Sequence, residues 1–134
     1  ELATEHPFVD FDNYAFSNEA AKRLIVRGAT KLSIVLPPDN LTFRQHLLHG
    51  FMDAVRSSGV DYELFEGATL DDSAEEIRET FQERLTKSSP PNGVICPGEV
   101  SGLAIVAAIH DAGLLPMQDV NVVVKHTSGL FNLV

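Results

Sequence analysis

Short β-branched apolar runs alternate along this chain with longer segments whose apolar residues recur every three or four positions. Continuous or alternating apolar runs mark strands, and a period near 3.6 marks helices. Ser17 is placed to cap a helix over Asn18–Arg27, with Ala20, Ala21, Leu24 and Ile25 on one face and Gly28 as its stop. Leu32–Leu36 follows as a strand, ended by Pro37-Pro38. A second helix is predicted over about Thr42–Ser58, where Phe43, Leu47, Phe51, Ala54 and Val55 form the core stripe and Gly59 terminates it. Tyr62–Phe65 is a short strand. Asp71, Asp72 and Ser73 open a third helix, in which Ile77, Phe81 and Leu85 repeat at i, i+4 and i+8 opposite a solvated charge run. After a turn at Ser88–Gly93 comes the strand Val94–Cys96. The fourth helix, Glu99–Ala112, is apolar nearly all round, so it needs cover on more than one side, either from the core or from another subunit. Val120–Val124 is the last clear strand, and the tail beyond it carries no decided pattern.

Strands separated by helices, the central ones almost wholly apolar, indicate parallel pairing with helices on both faces. Right-handed crossovers then give a three-layer, doubly wound α/β sheet of Rossmann-like type. Ligands of such sheets bind beyond the carboxyl ends of the strands. That rule nominates Pro37–Thr42 with Arg44, Glu66–Asp72, Pro97–Glu99 and Lys125–Thr127.

At 134 residues, with 44% apolar and 22% charged residues, the chain has the size and composition of one globular domain. Ten Lys and Arg against nineteen Asp and Glu leave a net charge of −9, which argues against these residues contacting duplex DNA or an anionic membrane. The longest apolar stretch without charge or histidine is Val100–Ile109, far short of the ~20 residues of a membrane helix. The acidic opening Glu1-Leu2-Ala3-Thr4-Glu5 is not a signal peptide, and with no initiator Met the chain is expected to be a fragment.

Catalytic signatures are sparse. The chain has no G-x-G-x-x-G after a strand, no P-loop and no G-x-S-x-G elbow. Cys96, the single cysteine, lies in an apolar run and reads as a buried thiol. His46 and His49 stand at i, i+3, with His126 as a conceivable third metal ligand, but the pair lies on the polar flank of its helix and reads as solvent-facing. Lys125 at a strand end, with carboxylates on other loops, resembles a phosphoacceptor receiver. The acid that such chemistry needs is missing, because the strands end Cys96-Pro97-Gly98-Glu99 and Leu36-Pro37-Pro38-Asp39. The stronger hint is charge: Arg44 in the first turn of its helix, with Lys125 and His126 on a neighbouring strand end, marks a site for a polar or anionic small molecule. The same cations also fit ordinary surface pairing with Asp39 or Glu99.

Phe8-Val9-Asp10-Phe11-Asp12-Asn13, Ala20-Ala21 and Leu24-x-x-x-Gly28 are followed by His49-Gly50-Phe51, Asn92-Gly93-Val94-Ile95-Cys96, Ala112-Gly113-Leu114-x-Pro116 and Asp119-Val120-x-Val122-Val123. In that order and spacing the set resembles the lactose-repressor/galactose-repressor (LacI/GalR) regulators entering their C-terminal effector subdomain, over nearly the whole chain. The resemblance implies a type I periplasmic-binding-protein-like lobe that senses a small sugar-like effector and forms a homodimer. Operator DNA would be bound only by a helix-turn-helix headpiece outside these residues. It implies residues 1–16 as a linker or hinge strand, with Asp10, Asp12 and Asn13 at the hinge, and 17–134 as the effector subdomain. Family members carry an arginine where this chain has Leu47, Asn-Asp where it has Gly98-Glu99, and an aspartate where it has His126. Asp39, Arg44, His46, Gly98, Glu99, Lys125 and His126 are therefore the expected ligand residues, and the changes favour an effector bearing negative charge. Leu103, Val106 and Ile109 are expected at the dimer surface. The expectation is a cytoplasmic regulator with no catalysis, no cofactor and no metal. The alternatives are a periplasmic sugar-binding protein of a transport system and a flavodoxin-like enzyme.

Overall fold

The structure, a computed structural model, describes residues 7–38, 42–125 and 131–133, and for 7–12 and 131–133 the backbone only. Among the described residues nine elements follow in order: α1 (Pro7–Val26), β1 (Lys31–Val35), α2 (Thr42–Ser58), β2 (Asp61–Phe65), α3 (Ala74–Leu85), β3 (Gly93–Cys96), α4 (Glu99–Asp111), β4 (Asn121–Lys125) and β5 (Phe131–Leu133). The sheet runs β2-β1-β3-β4-β5. The first four strands pair in parallel, and β5 returns antiparallel to β4 through Val123–Leu133, Val124–Asn132 and Lys125–Phe131. The expected doubly wound α/β lobe is thus present, and the undecided tail supplies its edge strand.

Alternation along the strands sorts the core into two halves. Leu32, Ile34, Leu36, Ile95 and Val123 meet Ala20, Ala21 and Leu24 of α1 and Leu47, Phe51 and Val55 of α2. Val35, Val94, Cys96 and Val122 point the other way, onto Ile77, Phe81 and Leu85 of α3 and Ile105, Ala108 and Ile109 of α4. The stripes read from the sequence for α2 and α3 are the buried ones, except that Phe43 is half-buried. Ser73 caps α3, its hydroxyl accepting from the Glu76 amide at 3.1 Å.

The start of α1 differs from expectation. The backbone over Asp10–Asn13 is helix rather than strand, continuous with the rest of α1. Pro7 stands at the first helical position, where its missing N–H costs nothing. Ser17 does not cap: its hydroxyl donates back to the carbonyls of Asn13 and Tyr14 at 3.3 Å, as an interior helical serine does.

α4 is two-faced. Ser101, Gly102, Ala104, Ile105, Ala108 and Ile109 are buried against the sheet and α3, and a Cβ on Gly102 would stand 2.7 Å from a Val124 methyl, so small residues let α4 lie close. Val100 and Leu103 are 69% and 72% exposed on the outer face. Ile109 is fully buried within the chain's own core and is therefore removed from the expected dimer surface. Its spacing of six from Leu103 turns it about 120° around the helix, off the outer face.

At the amino ends of the strands, side chains fasten the layers. Asn92 accepts the Thr30 and Lys31 amides on Oδ1 at 3.0 and 3.1 Å, and its carbonyl accepts from Asn121 N–H at 3.0 Å. Nearby, Glu63 takes a two-bond grip from Arg84 at 2.9 and 2.7 Å and a Lys31 ammonium at 3.5 Å. These contacts leave the opposite, carboxyl end of the sheet free to carry a site.

Candidate functional site

The strand order reverses between β1 and β3: the chain steps out to β2, then crosses back to the other side of β1. At such a switch point the helices that follow the two strands leave on opposite faces, so a crevice opens at the carboxyl ends. Leu36–Pro38 borders it after β1 and Pro97–Glu99 after β3.

Beside it lies a groove of about 290 Å³ lined by Leu36, Arg44, Phe65, Glu66, Ala68 and Thr69. Leu36, Phe65 and Ala68 are nearly buried and form an apolar floor, while Arg44, Glu66 and Thr69 bring a guanidinium, a carboxylate and a hydroxyl. A floor of hydrocarbon with a few placed polar groups is the usual make-up of a small-molecule site. Two local bonds shape it. The Leu70 amide donates to the Leu36 carbonyl at 3.1 Å, tying the loop after β2 to the end of β1. Asp72 accepts the Thr69 amide at 2.7 Å, which closes the loop on itself rather than extending α3.

Arg44 sits in the first turn of α2 as expected, and its Nη1 donates to the Pro37 carbonyl at 2.6 Å, so its reach is set by the proline turn. His46, two residues further on, is half-buried, and His49 is exposed. Gly98 is the N-cap residue of α4, where a glycine supplies no side-chain hydrogen bond; its carbonyl accepts from Ser101 Oγ at 3.1 Å. Glu99 opens α4 and is half-buried. Lys125 ends β4 and donates to Asn13 Oδ1 at 3.1 Å, with its ammonium 6.0 Å from the centre of the Phe16 ring. The structure thus places Arg44 at the groove, but the groove's lining does not include Lys125, which is turned to α1. Asp39 and His126 lie outside the described residues, as do the side chains of Asp10 and Asp12.

Sequence reasoning nominated the loop Glu66–Asp72 but singled out no side chain in it, so Glu66 and Thr69 were missed. The Asn13–Lys125 bond joins positions 112 apart and left no local trace.

The buried thiol is inert. Burial pushes Cys96 up to about 11, its contacts with Ser101 and the Gly98 backbone only partly opposing this, so at neutral pH no thiolate is available there.

Known proteins agree with this architecture. The periplasmic binding protein-like domain matches residues 21–133. In sequence the chain is 30% identical over 121 residues to the HTH-type transcriptional regulator AglR of Rhizobium meliloti, covering 89% of this chain and 33% of that protein. It is 24% identical over 119 residues to the HTH-type transcriptional repressor CytR of Escherichia coli K12, covering 89% and 35%. The chain thus spans about a third of the length of these relatives. Among solved structures, an uncharacterized protein from Actinobacillus succinogenes superimposes with a TM-score of 0.77 at 21% identity, over 85% of this chain and 42% of that one. A regulatory protein of the LacI family from Chloroflexus aggregans does so with 0.71 at 20% identity, over 83% and 40%.

Proposed function

Because the chain belongs to the periplasmic binding protein-like domain family, we propose that it is the effector-sensing, dimerising C-terminal subdomain of a cytoplasmic LacI/GalR-type transcription regulator, working without catalysis. The observation that carries this reading is the mixed polar and apolar groove of Arg44, Glu66 and Thr69 beside the switch point, in a chain whose sequence relatives are HTH-type transcriptional regulators.

In this reading the effector lies across the carboxyl ends of the strands. Arg44, His46, Gly98, Glu99 and Lys125 contact it, with Asp39 and His126 assigned from sequence alone. Cations at the groove and at the β4 end favour a sugar that carries negative charge. Residues 1–16, with Asp10, Asp12 and Asn13 at the hinge, lead toward a second subdomain, and 17–134 forms the sensing lobe. Effector that binds the closed pair of lobes better than the open pair shifts their balance. A coupling of about 1–3 kcal/mol, typical of such systems, then changes the spacing of headpieces on operator DNA. Val100, Leu103 and Val106 on the outer face of α4 form part of the homodimer surface, where uncovered aliphatic side chains gain by burial.

The test is a gel shift with the full-length protein on DNA upstream of its own gene. Binding that changes on adding a neutral or anionic sugar supports the reading, and the 134-residue chain alone should give no shift. A full-length protein that binds no DNA refutes it. Leu103→Glu should convert dimer to monomer in sedimentation, and an unaltered dimer returns α4's outer face to ordinary surface.

A further inference from the structure

The ammonium of Lys125 is held by neutral groups. Lys31 and Arg84 share the Glu63 carboxylate and Arg78 takes Asp111, while Arg44 donates to the Pro37 carbonyl. Lys125 instead donates to the side-chain amide oxygen of Asn13 and stands over the face of Phe16. Among the described residues it has no carboxylate partner. Both supports come from α1 and are fixed by packing, since Asn13 is 7% and Phe16 5% exposed.

An amide dipole and a ring quadrupole hold an ammonium in place without cancelling its charge. A carboxylate at the same point would hold it equally well and neutralise it. The charge at the end of β4 is therefore not cancelled by these two supports, and a carboxylate or phosphate oxygen is the acceptor that would pair with it.

We propose that Asn13 is a specificity-determining positioning residue: with Phe16 it holds Lys125 at the carboxyl end of β4 with no carboxylate partner among the described residues, and so sets a preference for effectors bearing a carboxylate or phosphate. The proposal rests on the reading of the carboxyl end of the sheet as the effector cleft. It gives the buried amide of α1 a purpose that helix packing alone does not, because an apolar side chain would fill that position more favourably.

The test uses the full-length protein and calorimetric titration with D-glucose, D-glucuronate and D-glucose 6-phosphate, so that carboxylate and phosphate are read separately. Wild type should prefer at least one anionic probe to glucose. Asn13→Asp should weaken that probe by at least about tenfold and leave glucose affinity unchanged, with no fall in the unligated melting temperature. Asn13→Gln, which keeps a neutral acceptor, should retain the preference. Lys125→Met should lose it, with no further loss on adding Asn13→Asp. A preference that survives Asn13→Asp, or a variant that loses glucose and anion alike, overturns the role of Asn13 alone. A wild-type protein that prefers glucose, or takes none of the three probes, overturns the anionic cleft and this inference with it.

Discussion

Replacing Gly50 by alanine probes the contact that fixes α1 to α2, and with it the place of Asn13. Gly50 lies on the buried face of α2, and a Cβ there would stand 2.3 Å from the Tyr14 carbonyl oxygen, 2.4 Å from Ser17 Oγ and 3.1 Å from the Asn18 amide nitrogen. A hydroxyl can turn aside, but a helical backbone carbonyl cannot. Restoring an ordinary carbon–oxygen contact of about 3.3 Å requires α1 to move by roughly 1 Å. That shift stretches the bond from Asn18 Nδ2 to the Gly50 carbonyl, 3.0 Å, and the one from the Tyr14 hydroxyl to Asp53, 2.5 Å. Overpacking of this kind costs about 1–3 kcal/mol, and a weakened hydrogen bond adds about 1 kcal/mol. Alanine returns up to about 1 kcal/mol through its better helix propensity. The net loss is about 2 kcal/mol, which at a urea slope near 1.5 kcal/mol per molar moves the midpoint down by roughly 1.3 M. Urea unfolding followed by circular dichroism measures it. Adding Ser17→Ala should recover only part of the loss, because the Tyr14 carbonyl remains. A Gly50→Ala midpoint within about 0.3 M of wild type would mean that α1 and α2 have room to spare and that the close crossing is not what positions α1.

Three further outcomes follow from the same structure. Glu63→Gln removes the charge shared by Arg84 and Lys31 in a half-buried setting and should lower stability by about 1–3 kcal/mol in urea unfolding, whereas an unchanged midpoint would show the trio to be idle. Ser33 is buried on the α3/α4 side of β1, and its hydroxyl has no hydrogen-bond partner among the described residues; Ser33→Ala should therefore be neutral or stabilising by up to about 1 kcal/mol, and a loss of that size would reveal a bonded hydroxyl. The Cys96 thiol ionises near its ordinary value of 9.0 when unfolded but only at about 11 when folded, so stability is full below pH 9 and falls as pH rises from 9 toward 11. The fall should be on the order of 2 kcal/mol and should vanish in Cys96→Ala; a slope that persists in the variant places its origin elsewhere.

Much of the fold was legible because its signals are local. Phe51 and Phe81 sit on helices whose apolar period survives intact, and Gly59 ends α2 where a left-handed residue is needed, at a φ of +76°. The parallel sheet followed from apolar strands spaced by helices. What the sequence hid depends on contacts made at a distance. Apolar residues all round α4 look alike in one dimension, and only packing shows that Ile109 faces in while Leu103 faces out. Ser17 carries a capping residue's chemistry but lies inside a helix that begins ten residues earlier at Pro7. At the candidate site, the carboxyl-end rule nominated the loops that border the groove, because topology alone dictates it. Which side chains meet there is set by turns: Pro37 fixes Arg44, and Asp72 folds the loop that presents Thr69. The partner of Lys125 could not be read at all, since β4 and the start of α1 are brought together only by the closing of the sheet.

The central claim is that this lobe senses a small effector at the carboxyl ends of its strands. Hydrogen exchange of the full-length protein, with and without a sugar that alters its DNA binding, tests that most directly. The account predicts added protection at 36–38, 42–46, 66–70 and 97–99 and at the end of β4, with the turns around Gly28, Gly59 and Gly113 unchanged. Protection confined to those turns, at the amino end of the sheet, would contradict it.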